Sequence, residues 1–525
     1  MTLGRFKLDK QDCLIGIVAL AGVIVYVVAS AVLHKVGFPL DDSWIHQTYG
    51  RNLAQRGEWA FVPGEPSVAS TSPLFTVLLA VGYFLHLPFF VWTFALGALA
   101  LAGTGWIGRR LGAIMFPKLP LAGLWTGLAM VITWHLVWAA SSGMETILFC
   151  MLSLALVWSG WRELVVHPSG DDPRRAFKRG LLTGVIGALL TLARPEGAGL
   201  VGLTGLGVLL AWPYPRSRQG WWIYVAWGVG VAAAWLIVLA PYLALNYHID
   251  GALLPNTAAA KQAEHAPIHQ HWAVWERYGR LLLPLFAGGL IMLLPGILFG
   301  IYGIARQAAK KRADVLFLLP LAWAFVDLTA YTLRLPANYQ HGRYVMPMLP
   351  HLLLYGVGGT LALVHAGRRQ LIPRILSRSL ALAAALITVG FWGIGARQYA
   401  QDVRIINTEM VDTARWVEKN LPPDELLAVH DIGALGYYAP RPIFDLAGLV
   451  SPEIVPIITD YQAVMGMMCE RGVRYLMVLP DQRPAPLDDP RLGAAPIFVT
   501  RAPYSPAAGG GNMTIYQMQW PEQCH

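Results

Sequence analysis

Long apolar runs separated by short polar segments organise most of the chain. A membrane-crossing helix needs about 20 apolar residues, and the first run, Leu14 to Leu33, meets that length without a charge. Further apolar runs follow at roughly 73–108, 119–144, 146–161, 180–193, 197–215, 219–249, 281–305, 313–333, 344–367 and 379–396. Alternate connections are basic: Arg109/Arg110/Lys118, Arg162 to Arg179, Arg216/Arg218, Arg306 to Arg312 and Arg368 to Arg378. Basic loops stay on the cytoplasmic side. The acid-bearing or Pro/Gly-rich loops 34–72, 141–145, 194–196, 247–278 and 334–343 are therefore expected outside. Arg5, Lys7 and Lys10 precede the first run and place the N-terminus in the cytoplasm; alternation then predicts about eleven crossings. The first run lacks a small-residue cleavage site and more spans follow it, so it reads as an anchor. The 73–108 run must cross once. We read 73–87 as a helix lying at the outer surface and 89–108 as the second crossing.

The pattern changes after about residue 400. A polar helix is expected over Val403 to Asn420, a strand over Leu426 to His430 and a helix over Tyr461 to Arg471. A strand at Tyr475 to Leu479 and a last run at Met513 to Trp520 complete a small α/β unit. The expected fold class is thus a polytopic all-α membrane protein with a C-terminal extracytoplasmic α/β domain. The membrane domain would span 1–398, with long outer loops 34–72 and 247–278, and the second domain 399–525.

Composition agrees. The chain is 55% apolar and only 14% charged, against about 25% charged in soluble proteins, and its mean hydropathy is +0.48. A cytosolic enzyme, a nucleic-acid-binding protein and a disordered chain are excluded. The net charge of +9 resides in the loops and sets orientation rather than marking a polyanion partner. Cys13, Cys150, Cys469 and Cys524 form no CxxC motif; the last two share the outer side and are candidates for a bridge.

The polar clusters all fall on that same outer face. Asp41 and Asp42 follow the first helix, where one could serve as a general base while the other caps an amphipathic helix from Trp44 to Ala54. Glu145 ends Ser141-Ser142-Gly143-Met144-Glu145, and could act there or simply cap. Arg194 and Glu196 flank Pro195 in a tight hairpin, either as an ion bridge or with the guanidinium free for a phosphate. Lys261, in Leu254 to Lys261, and Arg343, in Tyr339-Gln340-His341-Gly342-Arg343-Tyr344, lie at headgroup depth. Snorkelling explains such cations, but the positive-inside bias makes outer ones worth a functional reading. His265, His269 and His271 suggest a metal site without fixing a third ligand, and solvated loop histidines are the ordinary alternative. Gly103-Thr104-Gly105-Trp106-Ile107-Gly108 matches a dinucleotide fingerprint in letters only, since it sits inside an apolar span and suits helix packing better. Neither a Walker A lysine motif nor a G-x-S-x-G elbow occurs.

The order of these motifs carries a resemblance. Asp41-Asp42-Ser-Trp-Ile-His-Gln-Thr-Tyr49-Gly-Arg51-Asn52, then Gly64-Glu65 and Thr71-Ser72-Pro73-Leu74, open the series. Gly143-Met-Glu145-Thr, Arg194-Pro-Glu196-Gly, Pro255-Asn256-Thr, Gly342-Arg343-Tyr344 and His430-Asp431-Ile-Gly433-Ala-Leu-Gly436-Tyr437-Tyr438 continue it. The series resembles the GT-C membrane glycosyltransferases, which include protein O-mannosyltransferases, lipid A aminoarabinose transferases and mycobacterial arabinofuranosyltransferases, the last most of all. The resemblance implies a GT-C-like fold, a polyprenyl-phosphate-sugar donor, and an acceptor hydroxyl on a glycan, lipid or protein at the outer face of the plasma membrane. It implies an aspartate base, Asp41 ahead of Asp42, with Glu145 in the catalytic set and Arg343, Lys261 and Arg194 on the phosphate. Tyr49, Glu196, Asn256, His341 and Tyr344 would contact substrate. No metal pattern is assigned, so a divalent metal stays open as a cofactor, and nucleic acid is not an expected partner. A transporter or flippase of lipid-linked sugars is the alternative, and a glycan-binding scaffold is a third reading.

Overall fold

The computed structural model describes residues 9–165, 172–493 and 495–521. Arg5, Lys7, part of the 162–179 connection and Cys524 lie outside the described residues. Helix α1 spans Lys10–Leu33, and Asp9 caps it by accepting from the backbone N–H groups of Gln11 and Asp12. The first long loop then folds into α2 (Asp42–Arg56), the hairpin β1 (Ala60–Val62) and β2 (Glu65–Pro66), and α3 (Pro73–Phe84). Next come α4 (Phe89–Met115), the pair α5 (Ala122–Ile132) and α6 (Trp134–Ser141), α7 (Thr146–Arg162), α8 (Pro173–Ala193), α9 (Gly197–Ala211) and α10 (Arg218–Asp250). The second long loop carries α11 (Thr257–Glu264), α12 (Ala266–His271) and α13 (Val274–Leu282). Helices α14 (Leu290–Lys310), α15 (Leu319–Arg334), α16 (Met348–Gly367) and α17 (Leu371–Ile406) complete the bundle.

Eight of the described helical segments are long and apolar enough to cross a membrane, and α5 with α6, bent by 53°, make a ninth. The other two expected crossings correspond to the shorter apolar helices α7 and α9. Leu20, Ile237, Leu298 and Leu386 are exposed on the bundle's flanks, as faces solvated by acyl chains require. Helix α4 outlasts its apolar run because Arg109 and Arg110 reach back to the buried Asp12 of α1, each at 2.9 Å. Its glycines form a packing face: a Cβ on Gly105 would lie 2.7 Å from Val131 of α5, and one on Gly108 2.1 Å from Met130. The fingerprint-like stretch is therefore a helix contact.

The expected polar helix is not separate. Helix α17 runs through a π turn, Asn407–Val411, directly into α18 (Asp412–Asn420). Beyond it lie β3 (Leu427–Val429), α19 (Gly433–Tyr438), β4 (Ile443–Asp445), α20 (Tyr461–Glu470), β5 (Tyr475–Val478), β6 (Phe498–Val499) and β7 (Thr514–Gln517). The sheet order is β4-β3-β5-β7-β6; β3 pairs parallel with β4 and β5, and β7 pairs antiparallel with β5 and β6. Glu409, in the π turn, ties rod to sheet: its carboxylate accepts from the Met513 backbone N–H at 2.8 Å, from the Asn512 amide at 3.1 Å and from the Thr500 hydroxyl. Cys469 is disulfide-bonded, whereas Cys13 and Cys150 are free. The fold is that of a polytopic helical membrane protein with a small C-terminal α/β sheet.

Candidate active site

A cavity of about 310 Å³ opens where the two long loops meet the bundle. Its walls come from the start of α2, the α6–α7 and α8–α9 turns, α11, the end of α15 and the turn at Arg343–Tyr344; Leu449 of the C-terminal unit adds one contact.

Asp42 begins α2 and faces two cations. Its Oδ2 accepts a hydrogen bond from Arg343 Nη2, and Lys261 Nζ lies 3.6 Å from the same oxygen. Burial alone would raise the Asp42 pKa, but Lys261 and Arg343 hold it well below the usual carboxylate range. Arg343 is only 4% exposed, and its Nη1 has no hydrogen-bond partner, so one guanidinium edge remains free for an anion. The backbone aims it there: Gln340, His341 and Gly342 adopt φ of 55°, 60° and 72° in succession, a costly run immediately before Arg343. The Tyr344 hydroxyl accepts from Arg343 Nη2 and Lys261 Nζ, both at 3.1 Å. Burial opposes ionisation of this phenol, yet Arg343 and Lys261 pull its pKa down to about 8.

The facing wall holds a second network. Arg194 Nε lies 2.9 Å from Glu196 and 3.7 Å from Glu145. Its Nη2 donates to the Tyr331 hydroxyl at 2.7 Å, which donates onward to Glu196 at 2.6 Å. His46 Nε2 approaches Glu145 at 3.5 Å. Asp42 with Lys261 and Arg343 leaves one net positive charge, whereas Glu145 and Glu196 with Arg194 leave one net negative charge. The two networks carry opposite net charge, and Arg334 adds a further cation to the lining.

The structure thus brings together Asp42, Glu145, Arg194, Glu196, Lys261, Arg343 and Tyr344, and leaves four other candidates off the lining. Asp41 turns away to accept from the backbone N–H groups of Gly433 at 2.6 Å and Ala434 at 2.8 Å, with burial and the Asp431 charge raising its pKa to about 7. Tyr49 is fully buried against Ser67 and the Ala69 N–H, and Asn256 donates to the Gly448 carbonyl at 2.9 Å. His341 pairs with Asp402 at 2.8 Å between the rings of Trp134 and Trp138. His46 and Tyr331 were not anticipated. His46 was recoverable, lying one turn after Asp42 on the same face of α2; Tyr331 sits in an apolar helix with no local signal. His265 and His271 bond the carbonyls of Lys261 and Pro267, and among the described residues no group of three or more His, Cys, Asp or Glu side chains could hold a metal.

A family model described as Domain of unknown function (DUF8728) matches residues 396–516, and no curated protein sequence matches the chain. Among solved structures, ArnT from Cupriavidus metallidurans bound to undecaprenyl phosphate superposes with a TM-score of 0.56 at 14% identity, covering 95% of this chain and 97% of that one. Oligosaccharyltransferase AglB from Archaeoglobus fulgidus, in complex with an inhibitory peptide and a dolichol-phosphate, gives 0.53 at 12% identity over 87% and 69%. Both are GT-C superfamily proteins, and the fold of this chain is the GT-C fold.

Proposed function

We propose that this chain is an integral membrane glycosyltransferase that moves a sugar from a polyprenyl-phosphate donor to an acceptor hydroxyl. The observation that carries the proposal is the meeting of Asp42, Arg343 and Lys261 on one cavity wall. Such a donor already has a phosphate leaving group, so the protein must take a proton from the acceptor and neutralise charge as the phosphate departs. Asp42, rather than Asp41, serves as base because it lines the cavity, and it regains basicity once Lys261 and Arg343 turn their charge to the donor phosphate. The acceptor O–H gives its proton to Asp42, its oxygen bonds to the anomeric carbon, and the bond from that carbon to the phosphate oxygen breaks. A single in-line displacement inverts the anomeric centre. The departing polyprenyl phosphate remains on Arg343 and Lys261, with the Tyr344 hydroxyl beside them. Glu145 and Glu196, braced by Arg194, hold sugar hydroxyls on the facing wall.

The alternation of basic connections supports an N-terminus in the cytoplasm, with cavity and C-terminal unit outside a plasma membrane. Neighbours of the same fold were solved with undecaprenyl phosphate and dolichol-phosphate, which supports the donor class. The test supplies polyprenyl-phosphate sugars to the purified full-length protein in proteoliposomes. Sugar transfer with release of polyprenyl phosphate is expected, and Asp42→Asn should abolish it without lowering expression. A transport reading draws on Asp327 of α15, which is 1% exposed and whose carboxylate oxygens both lack hydrogen-bond partners. Flux of lipid-linked sugar across vesicles without any transferred product would favour it.

A further inference from the structure

The tail motif from His430 to Tyr438, with the loop that continues to Gly448, has no part in the chemistry just proposed, yet it touches both elements that carry it. Helix α2 grips the two ends of α19. At the N-terminal end, Asp41 accepts from the Gly433 and Ala434 backbone N–H groups at 2.6 and 2.8 Å. At the C-terminal end, Arg51 donates to the carbonyls of Tyr437 at 2.7 Å and Gly436 at 3.3 Å, and its guanidinium lies 4.6 Å over the Tyr437 ring. Acid at the helix start and cation at its end both complement the helix dipole. Between them, Trp44 packs on Tyr437 and Tyr438, with ring centroids 5.0 Å away in each case. The fit leaves no room: a Cβ on Gly433 would lie 2.1 Å from the Asp41 carbonyl oxygen, and one on Gly436 2.2 Å from Phe61.

Helix α11 is held at both ends as well. Asn256, at its start, donates to the Gly448 carbonyl at 2.9 Å. Glu264, its last residue, lies 3.6 Å from His430 Nε2, while His430 Nδ1 lies 3.6 Å from Asp431. Gln482 fixes Asp431 in turn, donating to it at 2.7 Å. Burial disfavours a charged imidazole, but Asp431 and Glu264 raise the His430 pKa well above its ordinary value. Lys261 lies between the two anchors of α11, and Asp42 directly follows the anchor of α2.

We infer that the 430–448 segment is a positioning element of the catalytic centre, setting Asp42 through its clamp on α2 and Lys261 through its clamp on α11. This rests on the cavity reading above and assigns the C-terminal unit a role in registering the active groups. His430 and Arg51 are positioning residues, since neither lines the cavity.

The experiment uses the full-length protein in nanodiscs, with undecaprenyl phosphate binding and sugar transfer measured on the same preparations. His430→Gln and Glu264→Gln should each weaken undecaprenyl phosphate binding by about five- to tenfold, and the double variant no further, because both remove one shared contact. Arg51→Ala should lower kcat about tenfold without weakening that affinity, because a displaced Asp42 competes less for Lys261 and Arg343, with Arg51→Lys recovering part of the loss. A role in folding alone would leave affinity and kcat per folded molecule at wild-type values in all five variants, and that result overturns the inference. Additive losses in the double variant would overturn it too. A wild-type affinity insensitive to Arg343→Ala would instead remove the cavity reading, and the inference with it.

Discussion

Asp42→Asn separates catalysis from binding, because its two effects have opposite signs. The substitution keeps the size of the side chain and removes the proton acceptor. Loss of a positioned general base costs 10²- to 10⁴-fold in kcat, about 3–5.5 kcal/mol of barrier. The same change releases two cations. Lys261 and Arg343 both spend their charge on one Asp42 oxygen in the free protein, so an incoming phosphate must compete with that carboxylate. A charge pair at contact distance is worth about 4 kcal/mol or somewhat more at an effective dielectric of 20. The Asp42 side chain is 30% exposed, and the phosphate must shed its own water, so only a fraction is recovered. A gain of about 1.4 kcal/mol, or tenfold in affinity, is the expected scale. Steady-state transfer from a labelled polyprenyl-phosphate sugar gives kcat, and titration of undecaprenyl phosphate into the same preparation gives the affinity. A kcat within threefold of wild type would refute Asp42 as the base. Weakened phosphate binding would refute the competition between carboxylate and phosphate.

Three further outcomes follow from the same geometry. Arg343→Lys replaces a fork by a point charge and should weaken undecaprenyl phosphate binding by about tenfold, read by the same titration. Because the fold depresses the Tyr344 pKa to about 8, its phenol ionises as pH rises through that value and cancels part of the charge of Arg343 and Lys261. Phosphate affinity should therefore fall above pH 8 in the wild type, and Tyr344→Phe should lack that fall. Glu409→Ala removes the acceptor of three bonds joining the last long helix to the segments after β6 and before β7, at a cost of about 3 kcal/mol, seen as a lower melting temperature and faster proteolysis of the C-terminal unit.

Much of the fold was legible because lipid imposes a simple rule: a crossing segment must be long and apolar, and basic loops punctuate it. The run 219–249 returned as α10, Arg218–Asp250, almost residue for residue. Boundaries failed where tertiary contacts decide them. Helix α4 extends to Met115 because Arg109 and Arg110 find Asp12, and the polar stretch 403–420 continues α17 because a π turn keeps the rod unbroken. The six residues of α19, two of them glycine, carry no helical period and became visible only through Asp41 and Arg51. At the site, the cations and acids expected in the outer loops include Asp42, Lys261 and Arg343, which lie in contact with one another. Sequence order could not tell Asp41 from Asp42: one residue of helical rotation sends the first to the C-terminal unit and the second to the cavity. His341 is expected to contact substrate from the same turn as Arg343, but three left-handed residues in a row turn it toward Asp402.

The proposed function requires one cavity to hold both the base and the cations for a lipid-linked phosphate. Incubation of the purified full-length protein with a panel of polyprenyl-phosphate sugars and hydroxyl acceptors tests it most directly. We predict at least one donor is consumed, with polyprenyl phosphate and glycosylated acceptor formed one for one, and that Asp42→Asn and Arg343→Ala each stop the reaction. Donor consumption that persists undiminished in both variants would exclude this cavity as the place of reaction.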